Sequence, residues 1–401
     1  MRKIGLLKNS IQEYAWGSRT AIPELLGQPA PADKPQAELW MGAHPKAPSR
    51  VLSDGFWRSL PEVIQESPEE MLGKEVAARF SNQLPFLFKV LAAAKPLSIQ
   101  AHPNKEQAGH GFARENELGI PLDAPHRNYR DDNHKPEIIC ALTPFWALNG
   151  FRKIEETLRL LEKTRVPGLA EMVSVLRSHP NRAGLKKFFN HLMTMDRGKQ
   201  RKIVEETVNF AEKRTNEEPV WAWIIKLNEE YPGDIGVFAP IFLNLVRLEP
   251  QQAMYLPAGE LHGYLEGVGI ELMANSDNVL RGGLTPKHIG VQELLAVLNF
   301  TDGDLNILGP ENLAFGEAIY TTEAEEFVLS VMRINKKSPF SSARDRSVEM
   351  MICTEGNVSV TDLSAGDITR LTRGISIIVP AAVEQYSIEG EATLYKAAVP
   401  L

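Results

Sequence analysis

The spacing of apolar residues changes twice along this 401-residue chain, and this change restricts the folds available to it. Before about residue 152 and after about residue 232, short apolar runs alternate with turns containing Gly or Pro, which is typical of β-strands. Between residues 153 and 231, apolar residues recur every three or four positions among charged ones, as in Ile154, Leu158 and Leu161. We therefore predict a mainly β protein with an α-helical insertion.

Three domains follow from this pattern, because 401 residues are too many for one ordinary core. We expect an N-terminal β-domain made of residues 1–152 and 232–315, a helical domain of residues 153–231 and a C-terminal β-domain of residues 316–401. In the C-terminal domain, strand-like runs alternate with Gly-containing turns, as in an antiparallel sandwich or jelly roll. All nine histidines precede this domain, so a histidine-bound metal would belong to the N-terminal one.

Two segments of the N-terminal domain depart from the strand pattern. Residues 61–80 have the charge density and spacing of surface helices around Pro68 and Gly73. Residues 104–133 are polar and rich in Asn, Asp, Arg and Gly, so we predict a long loop there.

The composition excludes several classes of protein. A hydrophobic share of 43% with 24% charged residues is that of a soluble globular protein, and no apolar run reaches the length of a membrane span. The first residues contain neither a long apolar segment nor a small-residue cleavage site, so we expect a cytoplasmic protein. The net charge of −7 argues against a nucleic-acid surface, and two cysteines are too few for a disulfide framework or a thiolate zinc site.

Side chains in three strand-like segments are able to bind one metal ion together. Gln100 and His102, two positions apart, face the same side of an extended strand. Glu137 opens a second apolar run, and His262 follows the turn signal 257–259, so we expect it at the start of a strand returning from a hairpin. Two imidazoles, one carboxylate and one amide oxygen suit zinc, with a position left for water or substrate. Each residue alone would more often be structural, so the prediction rests on the set.

Cations lie near these segments despite the negative net charge. Lys89, Lys95, Lys135 and Arg281 lie in or beside them, as a small anionic substrate would require. The guanidinium of Arg281 suits phosphate or planar oxygens. A structural ion pair with Asp277, four residues earlier, is the alternative on the sequence alone.

Longer motifs resemble the type I mannose-6-phosphate isomerase family, also called phosphomannose isomerases, of the cupin superfamily. The resemblance runs from end to end, through IQEYAWGS, AELWMGAHPKAPS, PFLFKVLAAAKPLSIQAHP, DDNHKPEI, LPAGELHGYLEG and ELMANSDNVLRGGLTPKHI. It implies two cupin-type antiparallel β jelly-roll domains, the second without metal, plus the helical domain. It also implies a zinc-dependent aldose–ketose isomerase that interconverts mannose 6-phosphate and fructose 6-phosphate through a cis-enediol intermediate.

The resemblance also implies roles for particular residues. One zinc ion per chain would be held by Gln100, His102, Glu137 and His262. The residues expected to take part in catalysis are Arg281, Lys135, Glu271 and Asp277. The catalytic base is left open among Lys135, Glu271, Asp277 and a zinc-bound water, with His134 as a weaker candidate. Contacts with the substrate are expected from Ser98, Lys95 and Tyr264.

Two other functions are compatible with the same residues. A cupin with histidine and carboxylate ligands could hold iron and activate oxygen, which the metal content would reveal. A non-enzymatic double-cupin protein would bind sugar phosphate tightly without turnover. The glutamine ligand and the nearby cations favour the isomerase. We expect a small sugar phosphate as the partner, no nucleic acid, no membrane and a monomeric protein.

Overall fold

The computed structural model describes residues 1–313, 316–337 and 339–401. Up to residue 151, short strands alternate with short helices. These elements are β1 Gly5–Lys8, β2 Ser10–Gln12, α1 Ala21–Leu25, β3 Glu38–Gly42, β4 Arg50–Ser53, β5 Phe56–Ser59, α2 Leu60–Glu66, α3 Pro68–Leu72, α4 Lys74–Arg79, β6 Phe86–Ala93, β7 Ile99–Ala101, α5 Lys105–Glu117, β8 Glu137–Ala141 and β9 Phe145–Phe151.

A helical region follows β9, as the sequence predicts. Its elements are α6 Ile154–Thr164, a 3-10 turn Pro167–Leu169, α7 Ala170–Ser178, α8 Arg182–Thr194, α9 Arg197–Ala211, α10 Pro219–Glu230, a 3-10 turn Ile235–Phe238 and α11 Ala239–Phe242. Its buried faces share one apolar core with β9, in which the rings of Phe151 and Phe189 lie 5.7 Å apart. The insertion is therefore fixed against the sheet by aromatic packing.

The remaining elements return the chain to β structure. They are β10 Leu243–Leu248, β11 Ala253–Leu256, β12 His262–Ala274, β13 Leu280–Gly283, α12 Val291–Val297, β14 Glu311–Asn312, β15 Glu317–Tyr320, β16 Val328–Ile334, β17 Phe340–Ser341, β18 Glu349–Asp362, β19 Ile368–Thr372, β20 Ser376–Val379 and β21 Tyr386–Ala398. The prediction of a mainly antiparallel β chain with a helical insertion is confirmed.

The long strand β12 organises the N-terminal sheet. It pairs antiparallel with β6, β7, β8 and β9, and its register shifts between Tyr264 and Glu266. A bulge of this kind bends the strand, so that β12 contacts different neighbours along its length. Its first part pairs with β7 and β9 and its second part with β6 and β8, so β12 connects the strand of Gln100 with the strand of Glu137.

The second sheet contains strands from both ends of the chain. β1 pairs with β20 on one side and with β4 on the other, so β1, β4 and β5 extend the C-terminal sheet. One buried apolar cluster contains side chains of both parts, including Val51, Met350 and Ile378. The three-domain division stays a sequence prediction, and its proposed boundary residue 315 lies outside the described residues.

Three local predictions have clear outcomes. Helices α2, α3 and α4 occupy residues 60–79, as expected from residues 61–80. The long loop predicted over residues 104–133 is wrong for its first half, because α5 begins there under a capping box between Asn104 and Gln107. His262 does begin a strand, but the preceding β11 pairs with β8, so the predicted hairpin is wrong. Over the described ranges, no helix is long and apolar enough to cross a membrane.

Candidate metal centre and substrate cavity

Strand pairing places two of the four proposed metal ligands side by side. Gln100 in β7 lies opposite His262 in β12 and opposite Arg281 in β13. His102 follows β7 by one residue, and Glu137 is the first residue of β8. Residues in register on neighbouring antiparallel strands point to the same face, so one face presents amide, imidazole and guanidinium groups.

Three of these side chains form a buried cluster able to hold a metal ion. One ligand atom of each of His102, Glu137 and His262 lies within 4.8 Å of the others. The Nε2 atom of His102 lies 3.4 Å from Oε1 of Glu137, and the Nε2 atom of His262 lies 3.4 Å from Oε2 of Glu137. Each of the three residues is only 1% exposed. Two imidazoles and one carboxylate are a ligand set of catalytic zinc sites, which keep a further position open.

Backbone carbonyls orient both imidazoles. The Nδ1 atom of His102 lies 2.6 Å from the carbonyl oxygen of Asn278, and that of His262 lies 2.9 Å from the carbonyl oxygen of Glu260. Since a carbonyl accepts, each Nδ1 carries the hydrogen and each Nε2 presents its lone pair. Both Nε2 atoms and Oε2 of Glu137 are buried without a hydrogen-bond partner in the described chain. Such orphaned acceptors are costly unless a cation binds them, so the residues fit a zinc ion.

The protonation states suit metal binding. Burial and the nearby Lys135 lower the pKa of His102 to about 4, so its imidazole is neutral at pH 7. Burial alone would raise the pKa of Glu137, but Lys135 and His102 outweigh it and hold that pKa well below its usual range. His102 therefore offers a neutral nitrogen and Glu137 an ionised carboxylate, which are the forms that bind metal.

A cavity of about 640 Å³ opens beside the cluster. This is a suitable volume for a small ligand. Most of the proposed metal, catalytic and substrate residues contribute to its lining, namely Gln100, Glu137, Lys135, Glu271, Asp277, Arg281, Ser98 and Tyr264.

Three buried charged side chains, Lys89, Glu271 and Glu38, form part of the cavity lining. The Nζ atom of Lys89 donates to Oε2 of Glu271 at 2.7 Å and lies 3.7 Å from Oε1 of Glu38. The indole of Trp40 donates to the other oxygen of Glu38 at 2.7 Å. Burial raises the pKa of Glu271 although Lys89 opposes it, whereas Glu271 and Glu38 overcome the effect of burial and raise the pKa of Lys89.

Two candidate residues have specific ionic partners. The Nζ atom of Lys135 lies 2.6 Å from Oε1 of Glu137, so its ammonium is next to the metal-binding atoms. Asp277 pairs with Lys46 at 2.9 Å and lies 3.7 Å from His44. Burial would raise the pKa of Asp277, but Lys46 and His44 outweigh it and lower that pKa. The ion pair between Asp277 and Arg281 considered from the sequence is therefore absent among the described residues.

Three cations lie close together in the lining of the cavity. Arg130, Arg281 and Lys287 all contribute to its lining, and none of them has an ion-pair partner in the part of the chain that the structure describes. Burial and the charge of Arg130 lower the pKa of Arg281, and burial with both arginines lowers the pKa of Lys287. Like charges held together in this way are stabilised by a bound anion.

The remaining sequence candidates differ in position. The hydroxyl of Tyr264 is buried beside the cavity without a hydrogen-bond partner in the described chain. Lys95 lies outside the lining, where its Nζ pairs with Glu230 at 2.9 Å. His134 lies 2.5 Å from Glu326 and also outside the lining.

Several cavity residues were missed by the sequence reasoning. They include Trp40, His44, Lys46, Arg130 and Lys287. The motif AELWMGAHPKAPS contains the first three, so it held a signal, but nothing in its spacing indicated which side chains face the metal.

These features define a metal-binding antiparallel β protein with a cavity for a small anionic ligand. Family models of the type I phosphomannose isomerase catalytic domain and helical insertion domain match residues 4–154 and 160–243. The mannose-6-phosphate isomerase of Escherichia coli (strain K12) is 42% identical over 390 residues, or 97% of each chain. That of Homo sapiens is 40% identical over 324 residues, covering 74% of this chain and 73% of its own.

Solved structures agree with the sequence relatives. A zinc-bound crystal structure of a mannose 6-phosphate isomerase is 39% identical, covers 99% of this chain and 100% of its own, and has a TM-score of 0.92. A variant of phosphomannose isomerase from Salmonella typhimurium has the same identity and coverage, with a TM-score of 0.93. The chain belongs to the type I phosphomannose isomerase family, and the family resemblance found in its sequence is confirmed.

Proposed function

We propose that this protein is a zinc-dependent isomerase that interconverts mannose 6-phosphate and fructose 6-phosphate by proton transfer through a cis-enediol. The observation that carries the proposal is one cavity bordered both by a buried His102, Glu137 and His262 cluster and by cations without carboxylate partners among the described residues. The first feature suits a sugar carbonyl or hydroxyl, and the second suits its phosphate. Membership of the family, whose named relatives are mannose-6-phosphate isomerases, supports the choice of sugar.

The metal end of the cavity is proposed to activate the substrate oxygens. His102, Glu137 and His262 would hold the ion, with Gln100 as the fourth ligand on the cavity side. When bound, zinc supplies a Lewis acid that stabilises negative charge developing on a carbonyl or hydroxyl oxygen. Because the ligand set carries only one negative charge, the site would keep a net positive charge for this role.

The other end is proposed to bind the phosphate. The guanidinium groups of Arg130 and Arg281 and the ammonium of Lys287 offer donors suited to its oxygens. Burial and mutual repulsion lower the pKa values of Arg281 and Lys287, and a bound phosphate would relieve the repulsion. Phosphate at one end and metal at the other would fix both the direction and the position of the sugar chain.

Glu271 is the proposed proton-transfer group. Its carboxylate borders the cavity and accepts from Lys89, and burial raises its pKa. A raised pKa brings a carboxylic acid nearer to neutral pH, where it both accepts and returns a proton efficiently. Asp277 is less suited because Lys46 and His44 outweigh burial and lower its pKa, which makes its carboxylate a weaker base, so we assign it to binding sugar hydroxyls. Lys135, next to Glu137, remains the second candidate.

Isotope exchange tests the proposed reaction. Zinc-loaded protein is incubated with mannose 6-phosphate in deuterated water, with and without a chelator, while fructose 6-phosphate and deuterium are followed. We expect chelator-sensitive ketose formation with solvent deuterium at the exchanged carbon. Folded, metal-replete protein that binds the sugar without converting it would instead favour the non-enzymatic double cupin. A redox-active iron as the native metal would favour oxygen chemistry.

The pH dependence tests the role of Glu271. Its carboxylate acts in the ionised form, so kcat/KM falls as the pH falls through its pKa, which lies above the usual value for Glu. Lys89 lowers that pKa, and Glu137 and Glu38 raise it. We therefore predict that Lys89→Met moves the acidic limb of the kcat/KM profile to higher pH.

The matched control for this profile is Lys226→Met. Lys226 pairs with Glu266 at 3.3 Å and lies outside the cavity lining. The dependence of kcat/KM on pH in Lys226→Met should therefore match that of the wild type. An acidic limb that stays in place in Lys89→Met, or moves to lower pH, would assign proton transfer to another group.

We also propose a cytoplasmic monomer that acts without nucleic acid. The net charge of −7 supports the absence of a nucleic-acid partner, since binding to a nucleic-acid duplex needs a basic surface. Sedimentation of the zinc-loaded protein would test the oligomeric state, and a concentration-dependent dimer would contradict the proposal.

A further inference from the structure

The segment between β13 and α12 forms a thin wall between two cavities. Thr285, Pro286 and Lys287 border the substrate cavity on one side and a second cavity of about 590 Å³ on the other. A chain segment with open space on both faces is not held by side-chain packing. Its position therefore depends on hydrogen bonds and backbone contacts.

The backbone of this wall is strained where it leaves β13. The pairing of β13 shifts register between Arg281 and Gly283. Leu284 adopts φ 52°, in the left-handed region that side chains other than Gly seldom occupy. Strained backbone of this kind persists only when its surroundings fix it, and it is often found at ligand-binding sites.

Asp234 provides the fixing contacts. Its Oδ1 accepts from the backbone N–H of Leu284 at 2.8 Å and from that of Gly236 at 2.7 Å, and its Oδ2 accepts from Thr285 at 3.4 Å. The two backbones also touch, because a Cβ on Gly236 would lie 2.5 Å from the nitrogen of Leu284. One carboxylate thus ties the end of the helical insertion to the wall.

We propose that Asp234 is a positioning residue for the phosphate end of the cavity. It acts through the wall that runs between Arg281 and Lys287 and sets where their charged groups lie. The inference rests on the proposed function, because it assigns phosphate to these cations. It adds that the helical insertion, through Asp234, determines the affinity of the site for phosphate.

Affinity for inorganic phosphate tests this role directly in the zinc-loaded protein. In Asp234→Ala we expect phosphate affinity to fall and KM for mannose 6-phosphate to rise, both by roughly tenfold to a hundredfold, because misplacement by about 1 Å costs that much. The turnover number kcat should fall much less. Asp234→Asn keeps the oxygen that accepts both short bonds and should restore most of the affinity.

The matched control is Asp302→Ala. Asp302 accepts from the backbone N–H of Ile154 at 2.9 Å at the other junction of the insertion and lies outside the cavity lining. It should leave phosphate affinity unchanged. Wild-type phosphate affinity in Asp234→Ala, or an equal loss in Asp302→Ala, would overturn the inference.

Gly236→Ala keeps the test decisive if Asp234→Ala does not fold. The added methyl group would lie 2.5 Å from the nitrogen of Leu284 and 2.9 Å from Oδ1 of Asp234, so it would displace the contact between them without removing the carboxylate, and phosphate affinity should again fall. Unchanged affinity in Gly236→Ala would overturn the inference in that case. Failure of the proposed function is distinguishable, because it would appear as wild-type protein that does not convert mannose 6-phosphate, whatever the phosphate affinities are.

Discussion

Glu137→Ala is expected to abolish zinc binding and to reduce kcat by at least about 10²- to 10³-fold, the loss caused by removing a single oxyanion donor in other enzymes. Glu137 supplies the only carboxylate of the cluster formed with His102 and His262. Its loss also leaves the ammonium of Lys135, now 2.6 Å from Oε1 of Glu137, without its partner. The site would then carry a positive charge of its own, which disfavours a divalent cation.

Metal analysis and thermal unfolding measure this outcome together. Wild-type protein should contain one zinc per chain and Glu137→Ala none, while both unfold cooperatively. His110→Ala is the control, because His110 is exposed on α5 and lies outside both the cluster and the cavity lining. A Glu137→Ala variant that lacks metal and remains fully active would refute the zinc mechanism.

The grouping of the proposed metal ligands was the most predictable part of the candidate site. Gln100 and His102 are two positions apart at a strand, and Glu137 and His262 each begin a strand, so short-range spacing indicated their direction. Register places Gln100 opposite His262, but it places Glu137 opposite Met273 near the other end of β12, so the convergence of all four depends on the three-dimensional course of the strands. The family resemblance supplied what spacing could not.

The charged partners around the cavity were much less predictable. Lys89 follows the strand pattern of β6, but only the register opposite Glu271 places their side chains together. Lys95 is closer to Gln100 in sequence than Lys89 is, yet the structure pairs it with Glu230 outside the cavity lining. Proximity along the chain therefore could not separate the two lysines.

The C-terminal sheet shows a further limit of local reasoning. The apolar alternation of residues 316–401 indicated strands, but not that β1 would pair with β20. This pairing joins the two ends of the chain, and no short-range pattern encodes it. Helix α5, in contrast, could have been predicted from a short-range pattern, because the capping-box residues Asn104 and Gln107 are present in the sequence but were overlooked.

Arg281→Ala is expected to retain zinc and to lower kcat/KM by about 10²- to 10³-fold, or roughly 3–4 kcal/mol of transition-state stabilisation. Arg281 borders the cavity opposite Gln100 in register, and burial beside Arg130 lowers its pKa. Truncation removes a donor that the substrate would meet and leaves the metal cluster intact. Arg281→Lys keeps the charge but not the paired donors, so it should recover only part of the loss.

The division of this loss between KM and kcat identifies what Arg281 contacts. A rise in KM, with weaker binding of inorganic phosphate, indicates a contact with the phosphate in both ground and transition states. A fall in kcat with unchanged phosphate affinity indicates a contact with the reacting oxygens. Arg177→Ala is the control, because Arg177 is 61% exposed and pairs with Glu162 in the helical insertion. Arg281 borders the cavity and has no ion-pair partner among the described residues. If Arg281→Ala kept the wild-type kcat/KM, Arg281 would have no part in binding or turnover, and its assignment to the site would be wrong.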